Sequence, residues 1–365
     1  MQNYEPLLKR HEVIAFCTED NLYNIEDLNI KVTKLKSLEF SFPKLARRYW
    51  IAILHKAGYF YHMIGLEEYL KQFDIVHTSD TWFAFSHQVS TVRKKSGIKM
   101  AVTQWENVPF ALERQGIIKK LKSNTRNAAD VFIAVTGKAK RALILEGVKE
   151  DRIHLLPMGV DIGRFRPRPR DAKLLKELGF SEEDFIILFA GRLIWTKGIF
   201  DLVEAFKVLT RDPETGGDVK LLIVGNGPDK RRLLDTIEKL GLCEKVKIAG
   251  GFKYRDMPRV YGLADIFSLP STREMQEQFG MVLVEAMASG KPIVTTTSGS
   301  IPEVVGNAAV IATPNNPRSL YQSLRKLVSD GGLREDLSKV ARKRAEEKFD
   351  ATRISLQLEK ILTSL

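Results

Sequence analysis

The chain has 365 residues, enough for two domains of ordinary size, each with its own core. Its composition, 44% hydrophobic and 28% charged, is normal for a soluble globular protein, and no apolar run reaches the roughly 18 residues that a membrane span needs. The net charge of +12 is uneven, because residues 1–170 carry 28 Lys and Arg against 18 Asp and Glu, and the remainder carries 29 against 27. The first half therefore indicates an anionic partner (anionic lipid, a lipid-linked phosphate or nucleic acid) or a basic solvated surface.

The two cysteines, Cys17 and Cys243, are far apart and fall in different predicted domains. This argues against a disulfide framework and fits a reducing cytoplasm. The first residues do not look like a signal peptide, and no Cys and His cluster has the spacing of metal ligands. We therefore expect a cytoplasmic protein without a structural metal.

Short runs rich in β-branched residues alternate with longer helical patterns along the whole chain. The predicted strands are residues 11–16, 30–35, 74–78, 99–104, 131–135 and 152–156, then 185–189, 220–224, 245–249, 266–269, 292–295 and 309–311. Residues 164–170 alternate Arg and Pro and indicate an interdomain linker. The pattern predicts an α/β protein with two doubly wound, Rossmann-like domains, residues 1–166 and 171–349, facing each other across a cleft. Ligands of such folds bind outside the carboxyl ends of the strands.

Residues 43–70 mix aromatic and aliphatic side chains with basic ones, and residues 93–126 add further positive charge. This composition is typical of an interfacial membrane helix, and equally of a core helix with a basic outer face.

The first motif that suits a ligand is Gly191-Arg192-Leu-Ile-Trp-Thr-Lys197-Gly198, which follows an apolar strand. The planar guanidinium of Arg192 and the point charge of Lys197, at a strand-to-helix turn, suit a diphosphate. The other possibility is two solvated surface charges.

Two further strands end in turns. Gly225-Asn-Gly227-Pro lacks the third glycine of a dinucleotide fingerprint, so we interpret it as structural. Phe252 follows the next strand and is a candidate wall for a nucleobase. The turn Ser298-Gly-Ser-Ile-Pro-Glu303 is interpreted as a tight turn before a helix.

The most informative motif is Glu277-Gln278-Phe279-Gly280-Met281, followed by an apolar helix that contains Glu285. A carboxylate inside an apolar helix costs free energy unless a polar group meets it. A helix entered through a glycine offers free backbone N–H groups and the positive end of its dipole, which suits a phosphate. Because carboxylates accept hydrogen bonds from hydroxyls, the motif predicts a pocket for a nucleotide sugar.

These motifs together resemble the donor site of retaining glycosyltransferases of family 4, which have the GT-B fold. The resemblance is close over residues 130–345. It implies that Arg192 and Lys197 bind the donor diphosphate and that no metal ion is required. The other donor-binding residues that it implies are Gly191, Gln278, Phe279, Gly280 and Met281. It further implies that Glu277 holds the hexose hydroxyls of a UDP- or GDP-hexose, that Glu285 holds the ribose hydroxyls, and that residues 350–365 pack back on the N-terminal domain.

The N-terminal domain departs from the family pattern in two places. Relatives begin with a strand and a Gly-rich loop, whereas residues 4–16 match the end of the first helix and the second strand, so either the start has been assigned too late or the domain is rebuilt. Many relatives carry a catalytic-site His after the strand that corresponds to residues 99–104. Trp105 or Glu106 occupies that place here, so Glu106 is a candidate to orient the acceptor. His77 and Asp80 follow a neighbouring strand, and His77 is equally a structural residue or a ligand.

The sequence is thus identified as that of a retaining hexosyltransferase acting on a glycan or lipid-linked acceptor, without specific nucleic-acid binding, at the inner membrane face. Three alternatives stay open. A nucleotide-sugar epimerase shares the architecture. A nicotinamide-dependent oxidoreductase is disfavoured by the incomplete glycine fingerprint. A non-catalytic basic membrane- or nucleic-acid-binding protein would not explain the paired Glu, Arg and Lys motifs.

Overall fold

A computed structural model describes residues 3–19, 29–42, 47–56, 61–114, 116–215 and 219–365. The chain divides into two compact units, one formed by Met1–Met158 with Thr352–Leu365 and the other by Gly159–Ala351. Each combines parallel β-strands with α-helices, so the predicted α/β class is confirmed.

The strands are short and most are rich in apolar residues, as expected for parallel sheets that are covered on both faces. They are β1 Ile14–Thr18, β2 Lys31–Leu35, β3 Ile75–Ser79, β4 Lys99–Gln104, β5 Val131–Ala134, β6 Ile153–Leu155, β7 Phe185–Ala190, β8 Val219–Val224, β9 Val246–Gly250, β10 Ile266–Leu269, β11 Ile293–Thr296 and β12 Ala309–Ala312. Each predicted strand is present, with its ends displaced by three residues or fewer.

Between the strands lie α-helices and short 3₁₀ turns. The helices are α1 Arg47–Lys56, α2 Leu66–Leu70, α3 Ala84–Ser96, α4 Gly116–Ala128, α5 Gly137–Leu145, α6 Ala172–Leu178, α7 Ile199–Leu209, α8 Lys230–Lys239, α9 Met257–Leu263, α10 Met281–Ala288, α11 Ile301–Val305, α12 Pro317–Ser329, α13 Gly331–Lys348 and α14 Ala351–Thr363. None of the described helices is long and apolar enough to cross a membrane.

The second unit is built on a six-stranded parallel sheet with the order β12-β11-β10-β7-β8-β9. The central strand β7 is buried almost throughout, and α7 and α12 pack against each other beside it. Residues 164–170, which the sequence indicates as a linker, pack within this unit: Phe165 is fully buried and Arg170 pairs with Asp265.

In the first unit, the described strands form two separate parallel sheets, β1-β2 and β3-β4-β5-β6. Within the described ranges no strand joins the edge of β1 to the edge of β3, and Ile14, Phe16, Ile75 and Val76 on these two strands are only half-buried.

The helix α14 belongs to the first unit, although it is last in the chain. Its buried side chains Ile354 and Leu358 form a small core with Leu7, Ile133 and Leu156. Thr352–Leu365 therefore belong to the first unit, whereas the family resemblance assigns residues 350–365 to it.

His77 is a structural residue rather than an exposed ligand. Its Nδ1 lies 2.6 Å from the Tyr4 hydroxyl and its Nε2 lies 2.8 Å from Thr103 Oγ1. Burial lowers the pKa of His77 to about 4, so the ring is neutral at physiological pH. The side chain ties the first described turn of the chain to β3 and β4.

The basic and aromatic segment 43–70 is described in part, because residues 43–46 and 57–60 lie outside the described residues. In α1, Trp50 and Ile53 are each 37% exposed, and Trp50 stacks on Phe42 at 4.8 Å between ring centroids. The described part of this segment thus contains a helix with exposed aromatic residues, Tyr49 and Trp50.

Candidate active site

The predicted site residues of the second unit follow strands around the point where the strand order of its sheet reverses. From β7 the chain first builds β8 and β9 on one side, then returns to build β10, β11 and β12 on the other. The loops after β7 and β10 therefore leave neighbouring strand ends in opposite directions, which opens a crevice between them. These two loops carry Arg192, Lys197 and Glu277.

The loop after β7 is held close to the loop after β8 by backbone hydrogen bonds. The Gly191 N–H donates to the Val224 carbonyl at 3.0 Å and the Leu193 N–H to the Asn226 carbonyl at 2.9 Å. A Cβ on Gly225 would lie 1.9 Å from the Gly191 oxygen, so this glycine permits the close approach of two backbones. The Gly225-Asn-Gly227 turn thus has a packing role, as the sequence suggests.

Arg192 is exposed near the start of this loop, and no hydrogen bond or ion pair engages its guanidinium within the described chain. Lys197 ends a 3₁₀ turn and Gly198, at φ +69°, leads into α7. A Cβ on Gly198 would lie 1.8 Å from the Pro270 carbonyl oxygen. The position therefore requires glycine, and it locks the loop after β7 against the loop after β10.

Lys197 and Glu277 form the centre of the site. Lys197 Nζ lies 2.6 Å from Glu277 Oε2, which also accepts a hydrogen bond from the Ser271 hydroxyl at 2.8 Å. The Glu277 side chain is 9% exposed and that of Lys197 is 28% exposed, so the pair sits at the edge of solvent. The tertiary fold brings together two charges that are 80 residues apart in the sequence.

The backbone of Glu277 is fixed by the turn before α11. The Glu277 N–H donates to Ser298 Oγ at 3.3 Å, and the Ser300 N–H donates to the Glu277 carbonyl at 2.8 Å. A Cβ on Gly299, which has φ +53°, would lie 2.1 Å from the Glu277 oxygen. The turn is therefore a support for the carboxylate as well as the start of a helix.

The residues after Glu277 lead directly into α10. Phe279 is buried and contacts Phe349 edge-on at 5.9 Å between ring centroids, so its side chain belongs to the core. Gly280 is the N-cap residue at φ +82°, and Met281 begins the helix. Gln278 and Met281 are half-buried. The predicted entry of a helix through a glycine is present.

Glu285 lies on the second turn of α10 and is buried against two tyrosines. The Tyr261 hydroxyl donates to Glu285 Oε2 at 2.7 Å, and the Tyr254 hydroxyl also hydrogen-bonds this carboxyl group. Burial raises the pKa of Glu285 to about 7, although both hydrogen bonds oppose the shift. The polar groups that the apolar helix requires are thus phenolic hydroxyls.

Tyr254 and Tyr261 had not been recognised as site residues from the sequence. Both rings contact Phe165, at 5.4 and 5.9 Å between centroids. Tyr254 comes two residues after Phe252, which is half-buried in the loop after β9. The only local signal was the nearness of Tyr254 to Phe252, and nothing adjacent to Tyr261 marked it as a partner of Glu285.

Glu106 lies in the first unit, in the loop after β4. The Trp105 and Glu106 N–H groups donate to Asp80 Oδ1 at 2.8 and 3.0 Å, and Glu106 Oε1 accepts from the Val108 N–H at 2.8 Å. Burial raises the pKa of Asp80 to about 7. Asp80 thus anchors the backbone that carries Glu106, a role that the sequence did not indicate.

No group of three or more His, Cys, Asp or Glu side chains is placed to hold a metal ion in the part of the chain that the structure describes.

Comparisons with known proteins agree with this architecture. Residues 171–344 match the family model of the glycosyl transferases group 1, and residues 6–164 match that of Glycosyltransferase Family 4. The chain is 32% identical to the mannosylfructose-phosphate synthase of Agrobacterium fabrum over 241 residues, which are 63% of this chain and 52% of that protein. It is 30% identical to a D-inositol 3-phosphate glycosyltransferase of Xylanimonas cellulosilytica over 292 residues, 74% of this chain and 67% of the relative.

Solved structures with the same fold include Anabaena Alr3699/HepE in complex with UDP and glucose, with a TM-score of 0.80, 21% identity and coverage of 100% of this chain and 94% of that one. Sucrose-phosphate synthase from Thermosynechococcus elongatus has a TM-score of 0.74, 19% identity and coverage of 100% and 91%. The chain spans about half the length of the Agrobacterium relative. The two family matches and the Xylanimonas relative show that this chain belongs to the group 1 glycosyltransferases, which have the GT-B fold.

Proposed function

We propose that this protein transfers a hexose from a nucleotide diphosphate sugar to a hydroxyl group of a glycan or lipid-linked acceptor, with retention at the anomeric carbon. The observation that carries the proposal is the Lys197–Glu277 pair, with Nζ and Oε2 2.6 Å apart, beside exposed Arg192 at the topological switch point of the second unit. The two cations, Arg192 and Lys197, match the negative charge of the donor diphosphate, and the carboxylate of Glu277 matches the sugar hydroxyls.

In this proposal Arg192 and Lys197 stabilise the negative charge that develops on the leaving diphosphate. The backbone around Phe279 and Gly280 and the start of α10 assist them. Because these two side chains supply the positive charge, we expect turnover without Mg²⁺ or Mn²⁺.

Glu277 accepts hydrogen bonds from the hexose hydroxyls, and its ion pair with Lys197 links sugar recognition to the diphosphate. Glu285 accepts hydrogen bonds from the ribose hydroxyls, and Phe252 lies against the base. HepE, whose fold is similar, has been solved with UDP and with UDP-glucose, which supports a uridine nucleotide as the first donor to test.

Retention follows if the acceptor hydroxyl attacks from the face that the diphosphate leaves, with a leaving phosphate oxygen taking the acceptor proton. In this proposal Glu106 orients the acceptor. Replacing Glu106 by Ala tests this role: we expect a higher KM for the acceptor with unchanged donor affinity. Full activity with an unchanged KM would refute this role and leave Glu106 with a structural one, the hydrogen bond that it accepts from the Val108 N–H.

Binding of a lipid-linked acceptor at a membrane would also explain why the positive charge is concentrated in the first half of the chain. An excess of Lys and Arg in residues 1–170 favours an anionic membrane surface as partner, with the protein bound peripherally to the cytoplasmic face.

The donor assignment is tested by thermal stabilisation with UDP, GDP, ADP and NAD. We expect one nucleoside diphosphate to raise the melting temperature of the wild type, and Arg192→Ala to lose that rise and to lower turnover by orders of magnitude. Arg318→Ala removes an exposed guanidinium of α12 in the same unit and serves as the matched control. Stabilisation by NAD alone would favour the oxidoreductase, and no response to any nucleotide would refute the donor site.

Product analysis separates the two activities that share the architecture. We expect an α-linked product from an α-linked donor in NMR spectra, and no epimerised donor when the acceptor is omitted. Accumulation of an epimerised nucleotide sugar without acceptor would identify an epimerase instead.

A further inference from the structure

The loop between β4 and α4 presents hydrophobic side chains to solvent in an alternating pattern. Val108, Phe110 and Leu112 are 38%, 52% and 43% exposed. The residues between and after them, Pro109, Ala111 and Glu113, are half-buried. The loop therefore has an outward hydrophobic side and an inward side that contacts the first unit.

The inward side rests on a cluster of buried charges. The side chains of Lys122 and Glu146 are 0% and 1% exposed, with Lys122 Nζ 2.7 Å from Glu146 Oε1. Arg126 Nη1 lies 2.7 Å from Glu146 Oε2 and 3.1 Å from Glu113 Oε1. Two cations and two carboxylates thus balance each other beneath the loop.

This cluster fastens the loop backbone directly. The Phe110 N–H donates to Glu146 Oε1 at 2.8 Å, and Lys122 Nζ donates to the Ala111 carbonyl at 3.2 Å. Phe110 and Leu112 have φ of +58° and +63°, a left-handed conformation that bulky side chains rarely adopt. Strained backbone persists only where the surroundings impose it. Here the imposed conformation turns two large hydrophobic side chains into water.

Exposed cations follow this loop directly in the sequence. Arg114, Lys119 and Lys120 are exposed, and Ile117 on the first turn of α4 is 47% exposed. The carboxylate of Glu113 is already paired with Arg126. Among the described residues no carboxylate pairs with Arg114, Lys119 or Lys120. Hydrophobic side chains with such cations beside them in the sequence are complementary to the surface of an anionic bilayer.

We propose that Val108, Phe110, Leu112 and Ile117 form a membrane-contact face, which inserts into the interfacial region of an anionic bilayer while Arg114, Lys119 and Lys120 bind the headgroups. This inference deepens the peripheral location given under the proposed function and rests on it, but on none of the donor-site assignments.

A second copy of the chain fits the face less well than a bilayer. In a twofold contact each face meets itself, so three cations from each copy would be brought into one contact. An anionic lipid surface satisfies both the hydrophobic side chains and the positive charge.

The test is co-sedimentation with vesicles of phosphatidylcholine alone and of phosphatidylcholine mixed with phosphatidylglycerol, at low and high salt. We expect the full chain to bind only the mixed vesicles, and Phe110→Ser/Leu112→Ser to weaken this binding about tenfold or more. Lys119→Gln/Lys120→Gln should reduce both the binding and its salt dependence. The control Leu155→Ser/Leu356→Ser removes leucines of the same unit that are 53% and 49% exposed, and it should bind like the wild type.

Nucleotide stabilisation of every variant is measured in parallel, so that loss of the donor site and loss of the membrane face are distinguished. The proposal is overturned if the wild type ignores mixed vesicles, or if Phe110→Ser/Leu112→Ser binds them like the wild type. It is equally overturned if the wild type sediments as a dimer that this variant converts to a monomer, since the face would then be covered by a second copy.

Discussion

The protonation state of Glu285 makes donor binding depend on pH in a way that can be calculated. Its carboxyl group has a pKa of about 7 because it is buried between Tyr254 and Tyr261. Ribose hydroxyls donate hydrogen bonds, so in the proposed complex the ionised carboxylate is the form that binds. Lowering the pH should therefore weaken the affinity for the donor over the physiological range.

The size of the effect follows from the fraction of ionised carboxylate, since the apparent dissociation constant is the intrinsic one divided by the competent fraction. With a pKa of about 7, roughly nine tenths of the protein is competent at about pH 8 and about one tenth at about pH 6. The affinity should fall about tenfold across this interval, which corresponds to about 1.4 kcal/mol.

The assay is isothermal titration calorimetry with a nucleotide sugar, because its diphosphate diester does not titrate in this range. Glu285→Gln keeps the size of the side chain and an oxygen for the tyrosine hydroxyls, but it removes the charge. We expect this variant to bind about 10- to 100-fold more weakly at the higher pH, since charge-assisted hydrogen bonds are lost, and to show a flat pH profile.

Protein stability gives a second, ligand-free readout. The pKa of Glu285 in the folded protein is raised from 4.5 to about 7, so its contribution to stability is present below pH 4.5 and is lost as pH rises through 7. The free energy of unfolding of Glu285→Gln relative to the wild type should rise by about 3 kcal/mol across that range. An equal pH slope of donor affinity in both proteins would refute the ribose assignment, and an equal pH slope of unfolding would refute the raised pKa.

Three further predictions concern packing and buried charge. Gly198→Ala places a Cβ 1.8 Å from a backbone oxygen and should lower the melting temperature far more than Gly179→Ala, where φ is also positive but nothing lies within 4 Å. Burial raises the pKa of Asp80 from 3.8 to about 7, so its contribution to stability is lost as pH rises through 7. In urea titrations, Asp80→Asn should remove about 4 kcal/mol of the fall in unfolding free energy between these two pH values. An unchanged dependence of the unfolding free energy on pH would contradict the raised pKa. Glu146→Gln should destabilise the first unit by about 3 kcal/mol, and adding Lys122→Met should restore part of that loss, whereas additive losses would argue against the buried pair.

Much of the fold was determined by local sequence patterns. Hydrophobic runs of strand length alternating with helical periodicity predicted all twelve strands, with ends within three residues of those observed. The spacing of Glu277 and Glu285 was also informative by itself, because a loop followed by a helix is a local structure. The identity of the charged motif residues was thus available before any tertiary contact was known.

The partners of those residues were decided by the tertiary structure alone. Lys197 meets Glu277 across 80 residues of sequence, because parallel strands bring the loops at their carboxyl ends to one edge of the sheet. Tyr261 of α9 meets Glu285 of α10 across 24 residues, through a contact between two helices. Burial likewise emerges only from packing, and it is burial that raises the pKa of Glu285 and Asp80 and encloses Lys122. A sequence pattern records which groups are present, whereas desolvation and pairing depend on distances that only the folded chain sets.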